Sequence, residues 1–372
     1  MRIAQIAPRG VHPYSGLLAS LVHVSAALAQ QGIQVEVWQL HPWTDENAQM
    51  TALLEAAGIE LVAIDVGDSQ WRLSSRASHQ IAQRRVDIAH LHGVFNPTNT
   101  AVARELEVPY AISPHGGYAA ESLSYHRWRK SAFKFALELP MLRRAAAVSA
   151  LTEQESNEVR DFGFEGRVLV IPNGVRPIAT DLDADAFRGE LGLDRSTALA
   201  MYAGRIDTRG KRLGDVVRAV AGNARWHLAL MGGDFRGGID EAARLANELQ
   251  AADRIHFPAP RRDKTLHEAL ADADVFMLLS KSEGMPIALL EALAVGTPAV
   301  VSPEVERLIG VSASGAGWVT EPEGLTSVLR QLDSLSPQEW GQRRKAAKAL
   351  ASQYDWSDVA TAYEDLYRQI LA

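Results

Sequence analysis

The chain has 372 residues, 47% hydrophobic and 22% charged, with 28 Gly, 16 Pro and no Cys. That mixture excludes disordered, collagen-like and coiled-coil classes and predicts about two domains, each with its own core. Without Cys there is no disulfide, thiolate nucleophile or Cys-ligated zinc, in keeping with a reducing cytoplasm, and the net charge of −7 excludes a protein that grips nucleic acid over a wide basic face.

In chain order, Arg2–Ala7 reads as a strand. No charged leader precedes a long apolar run, so no signal peptide is expected. Residues 10–35 lack Asp, Glu, Lys and Arg but carry His12, Pro13, Ser15, Ser20, His23 and Ser25, too polar for a membrane span. Leu17, Leu21, Val24 and Leu28 recur with helical spacing and predict an amphipathic helix over Gly16–Gln31. Strands follow at Ile33–Trp38, Asp87–Leu91, Tyr110–Ser113, Ala146–Leu151 and Val168–Ile171. Thr152 and Glu155 have the spacing of a capping box, and Pro172, Asn173 and Gly174 signal a turn.

After a polar, acidic stretch near 180–195 the alternation restarts. Strands are expected at Ala198–Tyr202, Trp226–Met231, Arg254–Phe257, Val275–Leu279 and Ala299–Ser302. Helices are expected at Leu213–Val220, Ile239–Gln250, Leu266–Ala271 and Pro286–Ala294. Trp356, Val359, Tyr363, Leu366 and Ile370 line one face of a terminal helix over 355–372. Repeated strand–helix units predict an α/β protein with two doubly wound parallel sheets, joined near 172–195. The first strand–helix turn has no Gly-x-Gly-x-x-Gly and the second strand has no terminal acid, which excludes the usual dinucleotide fingerprint; a P-loop is absent too.

The densest constellation is Ser280–Ser302. Glu283 precedes a helix that Pro286 suits as a first-turn residue, Gly284 allows close backbone approach, and Glu291 lies about two turns in, roughly 7.5 Å beyond Pro286. A helix N-terminus between two carboxylates seats a phosphate while the acids meet polyols on either side. The alternative for each Glu is an ordinary solvated acid. The second constellation is Tyr202–Arg212, where Arg205 and Lys211 flank a Gly-containing turn and can clamp a diphosphate; alone it also reads as a solvated basic turn. Asp272 and Asp274 form an Asp-x-Asp pair, but before a strand, at the wrong end of a sheet for a ligand. Asp183 and Asp185 form another in the linker, so no metal site is expected. His115 follows a strand at the ligand-facing edge, as does His92, which is in a position to meet an acceptor; a hydrogen-bonded structural histidine is the alternative. Residues 126–144 hold six basic residues and one acid, Glu138. Trp128, Ala132, Phe135, Leu139 and Leu142 share one face while Arg127, Lys130 and Lys134 lie on another, with Pro140 as a kink. This helix suits either an anionic membrane surface or the domain core.

Taken in order, these motifs resemble the retaining GT-B glycosyltransferases of family 4 (glycosyl transferases group 1). The resemblance rests on Glu283 and Glu291 in EGMPIALLEALAVGTP, Gly204 to Lys211, Pro172 to Val175, His115–Gly116, Met231 to Gly233 and the terminal YDWSDVATAYEDLY. It implies a GT-B fold: two Rossmann-like, doubly wound parallel-sheet domains facing a central cleft, the acceptor domain at 1–175 with helix 355–372 packed back on it and the donor domain at 176–354. It implies a hexosyltransferase moving sugar from a UDP- or GDP-sugar to a glycan or lipid-linked saccharide, without a metal or other cofactor, in cell-surface or extracellular polysaccharide synthesis. The place implied is the cytoplasm, peripheral on the membrane. By the same resemblance, Arg205, Lys211 and Gly16 would meet the donor diphosphate and Glu291 the ribose. Glu283 and His115 would serve catalysis at the sugar, with the backbone of Gly284, Met285 and Pro286 beside it. The turns at Gly232, Gly233, Phe257 and Pro258 would meet the base. The chain departs from the family at Ser15, where Gly is usual, and at Arg212 after the clamp lysine. A sugar-nucleotide epimerase and a non-catalytic nucleotide-sugar-binding protein are the rival readings.

Overall fold

A computed structural model describes the whole chain except residues 13–14, 42, 45–46, 125–132, 176–177, 179–180 and 184. The chain divides into two compact units, Met1–Gly174 with Trp356–Ala372, and Val175–Asp355.

The first unit carries a seven-stranded sheet built from β1 (Arg2–Ala7), β2 (Gln34–Gln39), β3 (Glu60–Ala63), β4 (Ile88–His92), β5 (Tyr110–Ser113), β6 (Ala147–Ala150) and β7 (Arg167–Val170). The strand order is β3-β2-β1-β4-β5-β6-β7, and every pairing is parallel. Helices cover both faces of such a sheet, which is why side chains on both faces of β1 are buried: Ile3, Ala4 and Ile6 are wholly buried, and so is the polar Gln5. The helix Gly16–Gln30 is capped by Ser15, whose hydroxyl accepts the Leu18 N–H at 3.2 Å. The terminal helix Trp356–Leu371 packs on that helix; Gln31 Nε2 donates to the Ser357 carbonyl at 2.8 Å, and the His23 and Trp356 rings lie 5.6 Å apart. Gly174 is required beneath it, because a Cβ there would lie 2.8 Å from the Trp356 ring.

The second unit carries β8 (Ala198–Ala203), β9 (Trp226–Met231), β10 (Ile255–His256), β11 (Val275–Leu278), β12 (Ala299–Val301) and β13 (Gly317–Val319), ordered β10-β9-β8-β11-β12-β13 and again all parallel. In each sheet the order reverses beside the first strand, between β1 and β4 and between β8 and β11. Loops leaving the carboxyl ends of those strand pairs diverge there and leave a crevice for ligands.

Several expectations need correction. The short edge strands β3 and β13 are absent from the strands expected from the sequence. The strand expected over Arg254–Phe257 is only Ile255–His256, which leaves Phe257 and Pro258 in the following turn. Pro286 caps the helix Ile287–Val295 rather than opening it, and at 3.6 residues per turn Glu291 lies just over one turn in, not two. Thr152 caps Glu153–Phe162, but Glu155 does not close the box: its carboxylate turns to the Leu151 and Gly116 N–H groups instead. A true capping box occurs at Ser336 and Glu339.

The helix expected over 126–144 also differs. Trp128, Arg127, Lys130 and Ala132 lie outside the described residues. Beyond them Lys134–Glu138 form a π turn that leads into the α-helix Leu139–Arg144. A π turn inserts an extra residue and rotates the faces. Phe135, expected on one face with Leu139 and Leu142, is 68% exposed while those two are buried, and Lys134 lies over the Phe162 ring at 4.2 Å from its centroid. Glu138 is buried, accepting from Tyr118 Oη at 2.8 Å and the Phe95 N–H at 3.1 Å, and burial pushes its carboxyl up to about 7.

Candidate functional site

In the second unit the site grows from two loops at the point of strand-order reversal, after β8 and after β11. β8 ends at Gly204, with φ +149°, and β9 at Gly232, with φ +158°. A Cβ on Gly232 would sit 1.7 Å from the Gly204 carbonyl oxygen, so only glycine lets the two strand ends touch backbone to backbone. Gly204 N–H donates to the Met231 carbonyl and Ile206 N–H to the Gly233 carbonyl, both at 2.9 Å. Arg205 leaves this edge with its guanidinium 4.7 Å over the Phe235 ring, a stacking contact that orients the cation without neutralising it.

The chain then turns through 207–211. Asp207 accepts the N–H groups of Arg209 and Gly210, and Lys211 N–H donates to the Asp207 carbonyl at 3.1 Å. Lys281 N–H donates to the Gly210 carbonyl at 3.0 Å, which ties this loop to the one after β11. Lys211 Nζ reaches Glu283 Oε1 at 2.7 Å, with only 15% and 14% of the two side chains exposed. Fully buried Ser280 donates from Oγ to the same carboxylate oxygen at 2.6 Å and is held in turn by Ser302 Oγ on its carbonyl at 2.8 Å. Glu283 is therefore not a solvated loop acid. It is a fixed anion beside a fixed cation, just before the helix Ile287–Val295. That helix has no side-chain cap and no acid in its first turn, leaving its positive end uncovered by side chains.

Gly284, buried Met285 and Pro286 form the intervening backbone. One turn on, Glu291 Oε1 lies 3.6 Å from His267 Nε2 on the helix Asp263–Asp272. Gly233 follows Gly232 in the turn after β9, where Asp234 accepts the Gly237 and Ile239 N–H groups, both at 2.9 Å. Arg212 is neither a free third cation nor an exposed residue: its guanidinium forks onto Glu304 at 3.2 and 3.0 Å. The Asp272–Asp274 pair is structural. Asp272 accepts N–H groups of Asp185, Phe187 and Arg188, and Asp274 accepts Leu199 N–H and pairs with Arg188 at 2.8 Å.

In the first unit, His115 follows β5 in a turn where it (φ +54°) and Gly116 (φ +76°) are both left-handed. Glu155 Oε1 accepts the Gly116 N–H, and Oε2 accepts the Leu151 N–H at 2.6 Å; burial pushes this carboxyl up to about 7. His115 Nε2 is 2.9 Å from His92 Nδ1, and His92 Nε2 is 2.7 Å from Gln5 Oε1. Gln5 Nε2 donates to Tyr367 Oη at 3.0 Å, that hydroxyl is 2.6 Å from His90 Nδ1, and His90 Nε2 is 2.8 Å from Ser113 Oγ. Burial lowers all three imidazoles, His90 to about 3 and His115 to about 4, with neighbouring histidines adding to the effect at His90 and His92. All three are thus neutral at neutral pH. His92, expected at the acceptor edge, is wholly buried, with both ring nitrogens taken up by His115 and Gln5. Gly16 opens its helix with no atom within 4 Å of where a Cβ would be.

Sequence reasoning overlooked Gln5, His90 and Tyr367 as parts of these constellations, and did not single out Ser280 as the partner of Glu283. Gln5, His90 and Tyr367 each lie inside a strand or helix, and nothing local marks them as polar core. Among the described residues no cluster of three His, Asp or Glu is arranged to hold a metal ion.

Comparison with known proteins gives a consistent picture. Residues 14–177 match the family model described as Glycosyltransferase Family 4, and residues 183–353 match Glycosyl transferases group 1. A GDP-mannose:cellobiosyl-diphosphopolyprenol alpha-mannosyltransferase of Xanthomonas oryzae is 25% identical, aligned over 98% of this chain and 96% of its own length. A D-inositol 3-phosphate glycosyltransferase of Mycolicibacterium gilvum is 24% identical over 99% of this chain and 87% of its own. Among solved structures, Anabaena HepE, crystallised with UDP and glucose, superposes with a TM-score of 0.80 at 17% identity over 99% of this chain and all of its own. Sucrose-phosphate synthase from Thermosynechococcus elongatus gives 0.76 at 18% identity over 100% and 99%. At those identities the structural likeness establishes the GT-B fold.

Proposed function

We propose, from the premise that the chain belongs to the family 4, group 1 glycosyltransferases and is a hexosyltransferase of the GT-B fold, that it is a retaining, metal-independent enzyme that takes a UDP- or GDP-sugar as donor and a glycan or lipid-linked saccharide as acceptor. The observation that carries the donor assignment is the Lys211–Glu283 pair at 2.7 Å, set at the strand-order reversal beside Arg205 and an uncapped helix N-terminus. Breaking a sugar–phosphate bond leaves charge on the nucleoside diphosphate and creates an electron-poor anomeric carbon. Arg205, Lys211 and the helix dipole at Ile287 answer the first need. Glu283, oriented by Ser280, answers the second and accepts from sugar hydroxyls. The backbone of Gly284, Met285 and Pro286 lines the sugar, Glu291 takes the ribose hydroxyls, and the turns at Gly232, Gly233, Phe257 and Pro258 take the base.

The first unit contributes His115 to the same reaction, Gly16 as a loop free to meet phosphate, and the acceptor surface. The Xanthomonas relative is named for a diphosphopolyprenol-linked acceptor, which supports a lipid-linked saccharide for this chain, a role in cell-surface or extracellular polysaccharide synthesis and a place at the inner face of the membrane. No helix among the described residues is long and apolar enough to cross a bilayer, so the proposed association is peripheral. The test is calorimetry with UDP, GDP and ADP on the wild type and on an Arg205→Ala, Lys211→Ala double variant. One nucleotide should bind the wild type, and the double variant should bind it roughly 10²-fold more weakly, as expected for two lost charge-assisted contacts. Equal binding by both proteins refutes the clamp.

A further inference from the structure

Behind His115 runs a file of buried polar groups that passes through Tyr367 on the terminal helix and returns to Ser113, and its hydrogen-bond directions follow from the Gln5 amide, set with Oε1 toward His92 and Nε2 toward Tyr367. Gln5 Oε1 can only accept, so His92 Nε2, 2.7 Å away, carries the proton. A neutral imidazole holds one N–H, so His92 Nδ1 is an acceptor and His115 Nε2, 2.9 Å away, must be the donor. His115 Nδ1 is then a lone pair, and no described residue hydrogen-bonds it. On the far side, Gln5 Nε2 donates to Tyr367 Oη at 3.0 Å. The tyrosine hydroxyl donates onward to His90 Nδ1 at 2.6 Å, and His90 Nε2 donates to Ser113 Oγ at 2.8 Å. The ring planes of His90, His92 and His115 are nearly parallel, with centroids 4.5 and 5.2 Å apart, so none can flip without disturbing the next.

We infer that Gln5 is a positioning residue that, through His92, locks His115 as the Nε2–H tautomer and leaves Nδ1 as a hydrogen-bond acceptor for a hydroxyl of the bound sugar. The placement of the sugar at His115 rests on the function proposed above; the tautomer does not. The depressed basicity of the three rings agrees, since an imidazolium in the file would reverse its direction. In this state His115 selects a ligand that offers a donor and gives no proton to the leaving group. Tyr367 makes the terminal helix part of the arrangement, because its hydroxyl holds the Gln5 amide in the required orientation.

The tautomer is read directly from long-range proton–nitrogen correlation spectra of the full chain labelled with ¹⁵N-histidine, assigned with His115→Gln and His92→Gln. The wild type should show His115 protonated at Nε2; protonation at Nδ1 overturns the inference. Gln5→Glu places an anion on His92 and favours its imidazolium, whose Nδ1–H then donates to His115 Nε2 and moves the His115 proton to Nδ1. That variant should show the reversed signature and lose about tenfold in kcat/KM for transfer, one mispaired hydrogen bond. An unchanged signature in folded Gln5→Glu overturns the coupling. If Gln5→Glu does not fold, Tyr367→Phe serves instead: it frees the amide to rotate and should give a mixture of the two His115 tautomers, and a single unchanged species refutes the relay. A correct tautomer with full transfer activity in His115→Gln would instead fail the placement of the sugar at His115.

Discussion

Replacing Glu283 by Gln tests the donor site at its centre. The variant keeps the shape of the side chain and an oxygen for Ser280 Oγ, but Lys211 Nζ loses its carboxylate partner at 2.7 Å. Both side chains are about 85% withdrawn from water, so the loss is felt more than at an open surface. A charge-assisted hydrogen bond contributes about 1.5–3 kcal/mol and its neutral replacement about 0.5–1.5, so the fold should lose about 1–2 kcal/mol. For a unit of this size that lowers Tm by about 2–8 °C, readable by calorimetry or fluorescence. The functional effects run in opposite directions. Lys211, no longer shared, should bind nucleoside diphosphate as well as before or better. The anomeric centre, without its anion, should react roughly 10²-fold more slowly. Transfer within threefold of the wild type in a folded variant, or nucleotide binding weakened tenfold, refutes the assignment.

Three further outcomes follow. Gly232→Ala puts a Cβ 1.7 Å from the Gly204 carbonyl oxygen and should cost ~3 kcal/mol or more in urea denaturation; a loss under about 0.5 kcal/mol would show that the strand ends part easily. Glu155 has its folded pKa raised from 4.5 to about 7, so the folded state binds more protons than the unfolded state between those values. Its contribution is present in full below pH 4.5 and is lost as pH rises through 7. The stability of the wild type relative to Glu155→Gln should therefore fall by about 3 kcal/mol from pH 4.5 to pH 8, and parallel pH curves contradict the raised carboxyl. Arg212→Ala should leave Glu304 without its fork and destabilise the fold by about 2 kcal/mol, while lowering nucleotide affinity less than Arg205→Ala does; the reverse order in calorimetry would make Arg212 a ligand cation after all.

The sequence by itself determined the alternation of strands and helices, a join within 172–195 and the loops after β8 and β11, because each depends on local signals. Buried parallel strands are short apolar runs, strand ends carry Gly or Pro, and Glu283, Arg205 and Lys211 sit at offsets that a loop and a helix start dictate. The places of Gly284, Pro286 and Glu291 at a loop and a helix start were legible for the same reason. What only the tertiary structure decided is pairing across long stretches of chain. Lys211 meets Glu283 because β8 and β11 are neighbours in the sheet though 72 positions separate the two residues. Arg212 is taken up by Glu304, 92 positions away, across the carboxyl end of β11, which lies between β8 and β12 in the sheet. The π turn at Lys134–Glu138 rotated a helix face that an ideal 3.6-residue period had assigned otherwise. Most of all, Gln5, His92, His115 and Tyr367 look like four unrelated residues along the chain. They become one file because β1, β4 and β5 are adjacent in the sheet and the terminal helix returns to pack on the same unit, where a buried polar group must find a partner wherever in the sequence it comes from.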